Sequence, residues 1–198
     1  MKRYFTLLLL MVIAGFANAQ TKKAYADSIL RYQKNYADAH EVVKGADKKY
    51  FRFFAPDAKY KVVANFIQLN DTSGFIMKTS GTRTSRYFKY GILNFDIDRK
   101  PYQLRVYRSQ DLMATKEYKD YLFVPYTDLT SGEESYGGGK YLEFFIKDIV
   151  NTTVILDFNK AYNPYCAYAS GYNCPIPPGE NNLDVAIKAG EKQFGKSH

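Results

Sequence analysis

Histidine is nearly missing from this chain, with His40 inside it and His198 at its end, so neither a Ser-His-Asp constellation nor a metal site built from several histidines can be assembled. Cysteine occurs twice, too few for a closed zinc site and without the C-x-x-C-H spacing of covalent haem attachment. Tryptophan is absent, and no serine lies in a nucleophile elbow. Nothing beyond Phe16 approaches the ~20 apolar residues that a helical membrane span needs. Internal repeats and low-complexity linkers are also absent, which argues for one domain. Metal and other cofactors therefore have no motif in their favour.

What is present begins with an export-type leader. Lys2 and Arg3 precede an apolar run from Phe5 to Phe16, followed by Ala17-Asn18-Ala19 as a small-x-small cleavage site. The expected organisation is a signal peptide over 1–19, an N-terminal helix over 20–45 and a single β-rich domain over 46–194, located in the periplasm or outside the cell. No membrane span is expected after cleavage. The net charge of +8 falls to +6 without Lys2 and Arg3. The remaining basic residues are scattered in pairs such as Lys22-Lys23 and Lys48-Lys49, a solvated surface rather than a nucleic-acid footprint.

Periodicity divides the rest. Tyr25, Ile29, Tyr32, Tyr36, Ala39 and Val43 recur every three or four residues, which predicts an amphipathic helix over 21–44 stopped by Gly45. The tyrosine stripe suits docking on a sheet better than a ligand platform. From Tyr60 the period becomes two. Strands are predicted at 60–69, 75–79, 83–90, 91–97, 102–107, 122–125, 141–146 and 153–158, with turns at Asp71–Gly74 and Asp98–Pro101. Short strands with tight turns predict a mainly β (α+β) fold, the helix packed on an antiparallel barrel or sandwich. Gly137-Gly138-Gly139 lacks the Gly-Lys-Ser/Thr ending of a phosphate loop and reads as a turn or bulge before a strand.

One stretch stands apart. Asp157 to Asn182 holds both cysteines together with Pro164, Pro175, Pro177 and Pro178, among asparagines and tyrosines. Proline fixes its own φ and restricts the residue before it, so this segment is expected to form an ordered, irregular wrap over the sheet. Its DFNKAYNPYCAY and CPIPPGEN, with FFAPDAKY from Phe53, DLTSGEESYGGGKYL from Asp128 and AGEK from Ala189, resemble a bacterial family known only as domain of unknown function 1684, over roughly 50–192. Lys140 and Asn182 depart from the family's pattern, in which each is an arginine, and so would weaken any bidentate grip on an anion. The resemblance implies a fold and a cluster of residues and carries no settled activity.

With histidine so scarce, chemistry would fall to carboxylates. Asp128, Glu133, Glu134, Asp157, Glu180 and Glu191 all lie in the family-like motifs, and Asp128, Glu134, Asp157 and Glu191 are the catalytic candidates. Two could act as the acid and base of a glycan hydrolase. The plainer reading has them capping turns and pairing with Lys140, Lys160 or Lys192. DLTSGEES lacks the alternating acidic positions of an EF-hand loop, so no metal is expected. Ligand contacts are expected at Tyr136, Lys140, Asn159, Asn163, Tyr165 and Glu180, to an unidentified small molecule or envelope component. Cys166 and Cys174 are expected to form a disulfide in an oxidising compartment, the alternatives being two buried thiols or a metal pair. Two functions stay open, a binding protein of the cell envelope and a carboxylate hydrolase.

Overall fold

Helix α1 (Lys2–Ala39) ends well before Gly45, where the amphipathic pattern places its stop. The reason lies in His40, whose ring Nδ1 accepts the backbone N–H groups of Val42 (3.3 Å) and Val43 (3.0 Å). Those donors would otherwise reach carbonyls one turn back, so the side chain ends the helix as a cap would. A 3-10 turn, Gly45–Tyr50, then leads out of it. The structure, a computed structural model, describes the backbone of residues 2–196 and side chains from residue 20, so the expected signal peptide over 1–19 lies outside the fully described residues. Among the described residues no helix is long and apolar enough to cross a membrane.

Eight strands follow: β1 (Lys61–Gln68), β2 (Phe75–Met77), β3 (Ser85–Ile97), β4 (Lys100–Ser109), β5 (Tyr121–Asp128), β6 (Lys140–Phe145), β7 (Thr153–Asp157) and β8 (Asn182–Leu183), with a short helix α2 (Gln110–Met113) after β4. They form one mainly antiparallel sheet in the order β6-β5-β4-β3-β1-β7, with β2 added to β3 and β8 running parallel to β5. The sheet curls into a half-barrel. Its free edges, β6 and β7, face a shared cleft that α1 covers with Tyr25, Ser28 and Ile29. The expected mainly β fold with an N-terminal helix is therefore the one found.

The two strands predicted at 83–90 and 91–97 are one long strand, β3, interrupted by a bulge between Lys89 and Gly91. The extra residue reverses which side chains face inward. Before it, Tyr87 joins Met77, Tyr107, Phe123 and Tyr141 on the outer face. After it, Leu93, Phe95 and Ile97 join Leu104, Val106, Leu122, Val124 and Tyr126 in the main core. Gly91 is required at the crossing, because a Cβ there would lie 2.2 Å from the Phe66 ring. The hairpin after β3 turns through Asp98 and Arg99, both at positive φ, as a two-residue connection demands.

The wrap crosses the outer face. Tyr162 exchanges backbone hydrogen bonds with Tyr141, and Ile176 N–H donates to the Lys78 carbonyl at 2.8 Å. Cys166 and Cys174 are joined in a disulfide with Cα atoms 6.2 Å apart. Ser80 is held between the bridge and the sheet, its Oγ accepting from Cys174 N–H at 3.0 Å.

Candidate functional site

Four antiparallel steps separate β5 from β7 in the sheet, so the two run in the same direction and deliver Asp128 and Asp157 to the same end of the half-barrel. Three buried polar knots lie there. In the first, Lys140 Nζ sits 3.1 Å from Asp128 Oδ2 with neither side chain exposed. Oδ2 is not aligned for a hydrogen bond, so this is an ion contact. The ammonium also donates to the Ile187 and Ala189 carbonyls at 3.2 and 3.4 Å, and Asp128 Oδ1 accepts Thr130 N–H at 2.6 Å. Burial holds the lysine below its ordinary range while Asp128 opposes that shift.

The second knot joins Asp157, Asn159 and Tyr25. Asp157 Oδ1 accepts from Tyr25 Oη (3.0 Å), Asn159 N–H (3.1 Å) and Asn159 Nδ2 (3.1 Å). Asn159 completes its bonding with the backbone of Asp57, accepting its N–H and donating to its carbonyl. In the third, Glu191 Oε2 accepts Asn163 N–H (3.0 Å) and Tyr168 Oη (2.7 Å). Burial pushes the Glu191 carboxyl up to about 7. Glu191 Oε1 and Asn163 Oδ1 both lack a partner, and a proton on the carboxyl would serve both. Gly190 lets this turn form, because its φ is +75° and a Cβ would lie 2.5 Å from the Ala161 carbonyl oxygen.

The remaining expected site residues are elsewhere. Glu134 is half-exposed and pairs with Lys188 at 2.7 Å. Glu180 accepts Tyr107 Oη at 2.8 Å and pairs with Lys89 and Arg105 on the outer face. Tyr136 donates to the Cys166 carbonyl at 3.4 Å. Asn182 accepts from Thr127 Oγ1. Tyr165 alone of the proposed ligand contacts is both exposed and beside a cavity.

That cavity is the other place of interest. A hollow of about 330 Å³ lies between wrap and outer face, walled by Tyr87, Tyr121, Phe123, Tyr141, Tyr165 and Tyr172. A second, of about 440 Å³, adjoins it through Leu112, Tyr121, Tyr162 and Tyr165, and adds Tyr32, Tyr36 and His40 from α1 and its end, with Tyr118 and Phe145. Glu143 stands in this second hollow, its Oε2 accepting both Tyr121 Oη and Tyr162 Oη at 2.6 Å. Glu41 receives Tyr165 Oη at 3.1 Å. Burial and the Glu143 charge keep the Tyr121 and Tyr162 hydroxyls well above the usual phenol range, so both remain donors. Glu41 and Glu143 lie outside the expected site. The sequence signal that could have found Glu143 is alternation, since it faces the same side of β6 as Tyr141, beside Tyr121 and Tyr162, whereas Glu41, just past the end of α1, carries no such signal.

A family model described as a protein of unknown function (DUF1684) matches residues 49–192. Among solved structures, the chain is similar to an uncharacterised protein of Haloarcula marismortui studied by solution NMR, at 29% identity and a TM-score of 0.63, over 87% of this chain and 96% of that one. No curated protein matches.

Proposed function

Because the chain belongs to the family described as a protein of unknown function (DUF1684), and that membership brings no activity with it, we propose a function from the site itself: an exported, non-catalytic protein that binds a small molecule or envelope component in the tyrosine groove of its outer face. The observation that carries this is the pair of adjoining hollows, walled by aromatic rings from β5, β6, α1 and the wrap. Aromatic clefts with a few fixed polar groups are the usual form of a ligand site. The disulfide that clamps the wrap suits an oxidising compartment, which supports export.

The hydrolase alternative has less in its favour. Asp128, Asp157 and Glu191 are buried, and each accepts a backbone N–H, an arrangement that holds chain rather than substrate. A ligand-observed NMR screen of envelope fragments, sugars and amino alcohols tests the proposal. Tyrosine emission, unmasked by any tryptophan, gives a second readout. At least one compound should bind, and Tyr165→Ala or Tyr118→Ala should abolish that binding with the fold intact. Turnover of a glycan, lost in Asp157→Asn at an unchanged unfolding midpoint, would instead establish the hydrolase.

A further inference from the structure

We infer that the half of the groove around Glu143 and Glu41 takes a small, free organic ammonium cation, of the quaternary or alkylated type, held against tyrosine faces. This rests on the proposed binding role and gives it a ligand class. The first support is charge. The chain as a whole carries +8, yet the second hollow is lined by two glutamates and by no lysine or arginine. The neighbouring cleft under α1 is mixed in charge, with Lys61, Lys147 and Lys160 matched on its walls by Glu143, Asp148 and Asp157, and Lys160 reaches the groove's margin over the Tyr32 ring. An excess of negative over positive residues is thus found in the aromatic groove and not in the cleft beside it.

The second support is how the carboxylates are held. Glu143 is fixed by two tyrosine hydroxyls through one oxygen, and among the described residues its other oxygen takes no hydrogen bond. Glu41 is fixed by Tyr165. Neither is in an ion pair among the described residues, so the negative charge is oriented and unneutralised. The rings supply the rest: Tyr118 and Phe145 each stand edge-on to Tyr121, with centroids 6.1 and 6.0 Å away. Faces of electron-rich rings combined with carboxylates attract a cation whose charge is spread over methyl or methylene groups, where a bare metal ion would find too few oxygens.

His40 is the third support. It lines the same hollow and is almost fully buried. Its Nδ1 accepts two backbone N–H groups, which assigns the neutral ring's proton to Nε2, and Nε2 has no partner. Burial, with Lys44 nearby, lowers the imidazole to about 4, so it adds no competing positive charge near neutrality.

The test uses choline, its neutral isostere 3,3-dimethylbutan-1-ol and vesicles of phosphatidylcholine, titrated against the mature protein by calorimetry and tyrosine emission. Choline should bind at least about tenfold more tightly than the isostere. Glu143→Gln and the exposed Glu41→Gln should each weaken choline severalfold and leave the isostere unchanged, with thermal midpoints confirming that both variants fold. Equal binding of choline and the isostere would overturn the cation inference while leaving a ligand groove in place. Binding to vesicles without binding of free choline would overturn it in favour of a lipid headgroup. Failure of choline to bind overturns it outright, and the binding role itself falls only if the broader screen is also empty.

Discussion

Two sets of carboxylates lie within this fold and are held in opposite ways. Asp128, Asp157 and Glu191 are buried at one end of the half-barrel, each receiving a backbone N–H. Glu41 and Glu143 are exposed in the groove and receive only tyrosine hydroxyls. The same chemical group therefore serves two purposes, set by what donates to it. Within the sealed layer a carboxylate replaces missing ladder bonds and ties the wrap to the sheet. In the groove its charge is left to meet something from outside. Variants in the two regions should differ in the same sense: large stability losses in the first, binding losses in the second.

The largest effect is expected from Lys140→Met. It would leave Asp128 buried without its counter-charge, and breaking one side of such a pair costs on the order of 3–5 kcal/mol. Urea unfolding measures it. Asp128→Asn combined with Lys140→Met should recover much of the loss, since removing both charges removes the uncompensated one. A single variant as stable as the parent would mean that the layer is not sealed and that the contrast with the groove is false.

Next comes pH. Glu191 is raised from its ordinary value of 4.5 to about 7 in the folded protein, so the fold holds a proton that the unfolded chain releases between those values. The associated stability is fully present below about 4.5 and is lost as pH rises through about 7, amounting to roughly 3 kcal/mol. His40 acts in reverse. Its folded value of about 4 lies below the ordinary 6.5, so its contribution is present above 6.5 and lost as pH falls through about 4. Glu191→Gln separates the two. Plotted against pH, the stability difference between parent and variant should change between 4.5 and 7 and be flat outside that window. A constant difference would mean that Glu191 is ionised and its burial incomplete.

These residues also mark how far the sequence could be read. Alternation located the strands, and the proline-rich wrap with its Cys166–Cys174 bridge followed from chain stiffness and an even cysteine pair. The bulge at Lys89–Gly91 was invisible to a period-two reading, because one inserted residue shifts the register without changing the composition. His40 as a helix terminator was likewise unreadable, since histidine is not a residue that propensity assigns to that role. The motifs pointed to the sealed layer because that is where an irregular chain needs fixed partners. The groove is built from residues of several separate elements, of which only Tyr165 and the buried Asn163 had been singled out for ligand contact, and only the fold brings them together.

The smallest effect, and the one that sharpens the contrast most, concerns Glu134 and Asp157, two catalytic candidates of equal standing in the sequence. Glu134 meets Lys188 at the surface, side chains 40% and 56% exposed, and solvent-exposed pairs contribute about 0–1 kcal/mol. Glu134→Gln should therefore leave the unfolding midpoint almost unchanged. Asp157 accepts three hydrogen bonds in a buried knot that anchors α1 through Tyr25. Replacing it with asparagine keeps an acceptor oxygen and removes the charge, so the cost is the difference between charge-assisted and neutral bonds, about 1–2 kcal/mol. Because α1 also lends Tyr32 and Tyr36 to the groove, a loosened helix should lower groove affinity slightly in Asp157→Asn and not in Glu134→Gln. Equal stability of the two variants would remove Asp157 from the sealed layer and return it to consideration as a residue that acts on substrate.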